Sequence, residues 1–156
     1  MGHHISAVLL RGAYEREQAL AFDLRPILLT NDIDLFPLDA AFCDHWAEKL
    51  NIMGIRSERP ILNCNIVHHM IKTIALEPLF AVIETDYFGS NGDQSAAVYH
   101  GDSIIMEPKT ASIGPINEAL RHLGVYRIPN LDEFDTLGLS QYRNFDDMFQ
   151  AYHDRA

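Results

Sequence analysis

Glu84-Thr85-Asp86-Tyr87-Phe88-Gly89-Ser90-Asn91-Gly92-Asp93-Gln94 sets two carboxylates and two aromatic rings at the end of an apolar run, just before a Gly-rich turn. In a strand, side chains alternate. Phe80, Val82, Glu84, Asp86 and Phe88 then share one face, and Ala81, Ile83, Thr85 and Tyr87 the other. Glu84 and Asp86 stand roughly 6.5–7 Å apart on the side to which Phe80 and Val82 point. Two acids so placed can divide general-acid and base or nucleophile roles when their surroundings separate their pKa values. A hydrolytic or ligand-binding centre would use Glu84 and Asp86, with Tyr87, Tyr99 and His100 around them. An Asn91-Gly92 hairpin turn is expected to bring residues 98–100 back towards Glu84. The commoner state of such acids is solvated or hydrogen-bonded at a strand end. Arg121 and Arg127 are then the expected partners, two of the few basic residues in the second half of the chain. On that view Asp86, next to the turn, is structural and Glu84 is left for binding.

Other chemistries find less to use. Asp86, Asn91 and Asp93 offer hard oxygen ligands for a cation. The third position counted from Asp86 is Phe88, however, and no Glu closes the loop, so the helix-loop-helix calcium pattern is not met. The glycines follow no phosphate-binding spacing and no Lys accompanies them. Among the eight histidines, only His68 stands at helical i, i+4 spacing from a cysteine, Cys64, while Cys43 and His45 cannot share a face. With no H-E-x-x-H and no paired C-x-x-C, no metal site is assigned and no cofactor is expected. On a helical wheel His68 and His69 lie roughly 130° from the centre of the local apolar stripe, at 100° per residue, which places both beside the solvated face. Ser90 falls in a turn and not at a strand-to-helix elbow. Cys43, next to a core-facing Phe42, is expected to be a buried, inert thiol.

The elements that must position these residues follow from periodicity and punctuation. Ile5 to Leu10 is an apolar run of strand type, closed by Gly12. Tyr14 to Phe22 predicts a short helix, broken by Arg25-Pro26. Ile27 to Thr30 and Ile33 to Leu38 predict short strands, with Pro37 confining the second to an edge or a strand end. Asp39 is placed to cap a helix carrying Phe42, Trp46 and Leu50, stopped by Asn51 or Gly54. A second helix, capped by Asn63 or Asn65, carries the stripe Ile66, Val67, Met70, Ile71 and Ile74. Leu79 to Phe88, Ala96 to His100 and Ser103 to Met106 predict a three-stranded meander. Pro115 opens a helix with Ile116, Ala119, Leu120 and Leu123 inward, ended by Gly124. One irregular helical turn is expected within 131–139 and a last helix from Asn144 through Phe145, Met148, Phe149 and Tyr152.

At 156 residues the chain suits one domain, burying roughly 68–70% of the surface its unfolded form exposes. Its 47% hydrophobic content argues against disorder. The fold class is therefore a single α+β domain over residues 1–156. It has an antiparallel or mixed sheet centred on residues 79–106 and helices packed on one face. A small α/β sheet is the nearest competitor, because residues 5–38 also run strand-helix-strand. The formal charge of −10 is uneven, with the second half carrying 12 acids against five Lys and Arg. Such a surface repels phosphate backbones and anionic lipid and favours a basic protein partner. No run approaches the ~20 apolar residues of a membrane span, and the N-terminus lacks a signal-peptide pattern, so the expected location is the cytoplasm. Two cysteines fit reduced thiols there.

Three segments carry a resemblance: Glu84-Thr85-Asp86-Tyr87-Phe88-Gly89 with Gly92-Asp93-Gln94, Pro115-Ile116-Asn117-Glu118-Ala119-Leu120 with Leu123-Gly124-Val125, and Asp132-Glu133-Phe134-Asp135 with Leu137-Gly138-Leu139. Together they resemble small bacterial proteins to which no activity is assigned, over about half the chain, so no functional residue carries over. The composition suits a non-enzymatic interaction or inhibitor protein of immunity type, with Glu84, Asp86, Tyr87 and Asp93 on its binding surface. The alternative is the small hydrolase or ligand-binding enzyme centred on Glu84 and Asp86.

Overall fold

A computed structural model of the chain describes residues 2–29, 32–52, 64–88, 91–126, 131–134 and 139. The elements run β1 (Gly2–His3), β2 (Ser6–Arg11), α1 (Arg16–Ala21), β3 (Ile27–Leu28), β4 (Ile33–Pro37), α2 (Ala40–Leu50), α3 (Asn65–Ile74), β5 (Leu79–Phe88), β6 (Asn91–His100), β7 (Ser103–Ala111) and α4 (Pro115–His122). The expected second-half helix from Asn144 and Arg127 lie outside the described residues. No helix among those described is long and apolar enough to cross a membrane.

The sheet order is β3-β4-β2-β5-β6-β7, with β1 pairing β5 beyond the end of β2, and every pairing among these strands is antiparallel. This is an α+β domain whose meander β5-β6-β7 lies where the sequence placed it. Residues 5–38 form no parallel unit, because β2 pairs antiparallel with β4. Pro37, which has no N–H to donate to a ladder, is the last residue of β4.

Helices cover both faces of the sheet, not one. Val8, Leu10, Phe36, Phe80, Val82, Ala97 and Tyr99 point to the side of α1, α2 and α3, whose Ala19, Trp46, Ile66, Val67, Met70, Ile71 and Ile74 are buried with them. Ala7, Leu9, Leu35, Ala81, Ile83, Ala96 and Val98 point the other way, against Ile116, Ala119 and Leu120 of α4. The physical reason is the uninterrupted runs Ala7-Val8-Leu9-Leu10 and Phe80-Ala81-Val82-Ile83. A strand with one wet face alternates apolar and polar, whereas one buried on both faces does not.

Local chemistry sets the helix ends. Asp39 Oδ1 accepts from the Phe42 N–H at 2.7 Å, and Asn51 stops α2 in the left-handed conformation at φ 55°. Cys64 occupies the cap position of α3, immediately before Asn65. At the far end of α4, Arg11 Nη1 donates to the Leu123 carbonyl at 2.7 Å. This places a cation where the helix dipole is negative and ties α4 to the end of β2.

Candidate functional site

The register at one end of the sheet assembles the predicted acids. Glu84 of β5 lies opposite Ser6 of β2 on one side and Ser95 of β6 on the other, and Ser95 pairs in turn with Thr110 of β7. The Ser95 and Thr110 hydroxyls are 2.7 Å apart. One step towards the hairpin, Asp86 lies directly opposite Asp93, and His4 Nδ1 is 3.2 Å from Asp86 Oδ1. Phe88 follows, 79% exposed. All continue the face that Phe80 and Val82 bury under α1, α2 and α3. The apolar core therefore ends in a row of hydroxyls around a half-buried Glu84, and that row ends in an exposed acidic rim.

Asn91-Gly92 does not form the turn. Phe88 pairs with Asn91, so the dipeptide opens β6 instead. Gly92, at φ 144°, packs on the facing strand so closely that a Cβ there would stand 2.1 Å from the Asp86 carbonyl oxygen. This close approach, not turn chemistry, is what requires glycine. The other face of the hairpin end is braced. Tyr87 Oη donates to the Ser112 carbonyl and accepts from Gln94 Nε2 at 3.0 Å, and Gln94 Oε1 accepts the Ile116 N–H in the first turn of α4 at 2.7 Å. Tyr87 thus points away from Glu84 and Asp86 and anchors the strand that carries them.

Tyr99 and His100 do not join the acids. Tyr99 pairs with Phe80 and His100 with Leu79, at the opposite end of the hairpin. Tyr99 is buried beside His68, their ring centroids 4.4 Å apart, and His68 also packs on Phe80 at 5.5 Å. His100 Nε2 is 3.2 Å from Glu77 Oε2 at the surface. Arg121 pairs with Glu133 at 3.2 Å, on α4 across the sheet from the acids. His69 is exposed, but His68 is buried; its flanking wheel position is covered by the Phe80 and Tyr99 rings of the sheet.

Two further groups were not legible as sites. Tyr14 Oη is buried without a hydrogen bond of normal geometry; burial, together with the Asp34 carboxylate beside it, pushes the phenol pKa up. It lines a hollow of about 480 Å³ with Arg16, Asp32 and Asp34. A second hollow, of about 440 Å³, lies beside Lys109, Pro115 and Arg121. Neither includes Glu84 or Asp86. Cys43 of α2 and Cys64 at the head of α3 are both buried in the same apolar cluster. The two thiols influence each other: the neighbouring Cys43 lowers the Cys64 pKa against the opposing effect of burial, and Cys64 together with burial pushes the Cys43 thiol up. No cluster of three or more His, Cys, Asp or Glu able to hold a metal occurs among the described residues.

Comparison with protein-family models, with curated proteins and with solved structures gives no match. The chemistry is therefore read from the geometry alone. Among the described residues the acids stand on a rim with the exposed Phe88, outside both hollows. Such an arrangement can hold an apolar anchor and attract cationic groups around it.

Proposed function

We propose that this chain is a protein-interaction module, of inhibitor or immunity type, whose acidic hairpin end docks a basic protein. The observation that carries this reading is the register that sets Asp86 opposite Asp93 beside an exposed Phe88. Like charges directly across an antiparallel pair repel and lower stability, a cost that a cationic partner would relieve. A partner bearing Lys or Arg gains from it twice. Opposed carboxylates steer the encounter, and those desolvated in the contact hold it. Phe88 supplies the large apolar anchor around which binding energy concentrates. The charge of −10 extends the same field over the molecule.

Capture from an extract of the source cells tests the proposal. The wild-type protein is expected to retain a basic protein at about 0.1 M salt and release it towards about 1 M, where the screening length falls from ~10 to ~3 Å. Asp86→Lys and Phe88→Ala are each expected to abolish retention. Retention by both variants equal to that of wild type would refute the assignment of the surface.

A further inference from the structure

We propose that the hollow between β4 and the segment joining β2 to α1 binds a small free amino acid, with its ammonium group on Asp34 and its carboxylate on Arg16. Asp34 lies in β4 on the same face as Phe36, with Leu10 of β2 and Leu28 of β3 directly across from it. That face turns inward to α1, α2 and α3, and only 8% of Asp34 is exposed. A carboxylate so covered is costly unless a cation or several donors compensate it. No ion pair to Asp34 forms among the described residues. Asp34 lines the hollow of about 480 Å³, together with Ala13, Tyr14, Arg16, Leu28 and Asp32. Tyr14 Oη, buried beside it, makes no hydrogen bond of normal geometry either.

The walls are held by the fold itself. The Tyr14 ring packs edge-on against Phe36 with centroids 5.3 Å apart, and its backbone bridges to Ala75 just past α3. The Glu15 N–H donates to the Ile74 carbonyl at 2.8 Å, and the Gly12 N–H to the Asp32 carbonyl at 3.1 Å. Arg16, the first residue of α1, and Asp34 therefore border one hollow from separate elements without pairing with each other. Opposite charges held apart around a space suit a ligand that carries both. An amine alone would meet the guanidinium, and a carboxylate alone would meet Asp34 and Asp32. An amino acid satisfies each group: its ammonium donates to the Asp34 carboxylate and to Tyr14 Oη, and Arg16 donates to its carboxylate. Leu28, which is 59% exposed, and Ala13 give a short carbon chain an apolar wall. The volume falls within the ~300–1,000 Å³ of small-molecule sites. In register, Asp34 leads through Leu10 to Phe80 at the start of β5, whereas Asp86 lies near its end. The site is thus separate from the acidic rim.

Amide chemical shifts of the isotope-labelled full chain, followed while L-alanine or 4-aminobutyrate is added, provide the test. Titration to about 10 mM reaches a Kd of about 1 mM with a tenfold margin. Saturable shifts at Ala13, Tyr14, Leu28 and Asp34 are expected with at least one of the two amino acids. n-Butylammonium and butyrate each carry one of the two charges and should bind at least about tenfold more weakly, the scale of a lost charge-assisted hydrogen bond. Asp34→Asn and Arg16→Gln should each weaken amino-acid binding by a similar factor. Arg16 is exposed, so Arg16→Gln decides even where Asp34→Asn folds poorly. Absence of shifts around the hollow with both amino acids would overturn the proposal. So would amino-acid binding that Arg16→Gln leaves unchanged, or n-butylammonium bound as tightly as the amino acids.

Discussion

Glu84 and Asp86 share a strand face and meet different surroundings. Glu84 is half-buried in a row with Ser6, Ser95 and Thr110, whereas the Asp86 side chain is 66% exposed and its contact with His4 joins two surface groups. Burial therefore argues for the reverse of the roles that proximity to the turn suggested, with Glu84 structural and Asp86 free for a partner. Glu84→Ala is expected to cost about 1.5–3 kcal/mol, the scale of a lost hydrogen bond to a charged group. Asp86→Asn should change stability by under about 0.5 kcal/mol, as exposed pairs are worth little. Urea unfolding of the two variants measures both values. Gly92→Ala is expected to be worse than either, because its Cβ meets the Asp86 carbonyl at 2.1 Å at a φ of 144°. A loss above about 3 kcal/mol is expected, the range of core overpacking and backbone strain combined. The alternation that put both acids on one face was legible from the residues alone. Which of the two is covered depends on how far the hydroxyl row extends from neighbouring strands, and no local pattern encodes that.

At the scale of elements, the strands and helices with strong periodicity were legible to within a few residues. β5 spans Leu79–Phe88, and α3 buries all five residues of its predicted stripe. The misses arise where a neighbour decides. β6 begins at Asn91 because Gly92 permits close pairing, and Cys64 rather than an asparagine caps α3. An ion pair joins β7 to α4, where Lys109 Nζ lies 2.7 Å from Glu118 Oε2 and holds that carboxyl below its usual range. A depressed carboxylate stabilises the fold above its unfolded pKa, and the contribution is lost as pH falls through its folded value. Lys109→Gln should therefore cost about 0.3–0.5 kcal/mol near neutral pH, the scale of a partly exposed pair. The difference should vanish in acid, as paired thermal melts across pH would show.

At the scale of the whole molecule, the α+β class and the central meander were readable, but the two-sided packing was underestimated. The evidence for it was present in the unbroken apolar runs of β2 and β5, which cannot face water on either side. Covering both faces leaves the ends of the sheet and its edge strand β7 as the places where strand residues meet solvent. The end at the β5–β6 hairpin carries Glu84, Asp86 and Asp93, braced from behind by Tyr87, Gln94 and the first turn of α4. A braced strand end beneath two closely opposed carboxylates is what the proposed docking surface requires. Thermal melting of Asp93→Asn tests this most directly, since it removes one of the opposed charges and leaves the shape almost unchanged. The account predicts a melting temperature equal to or above that of wild type. A fall of more than about 2–4 °C, equivalent to about 1 kcal/mol for a domain of this size, would contradict it and make Asp93 a structural acid.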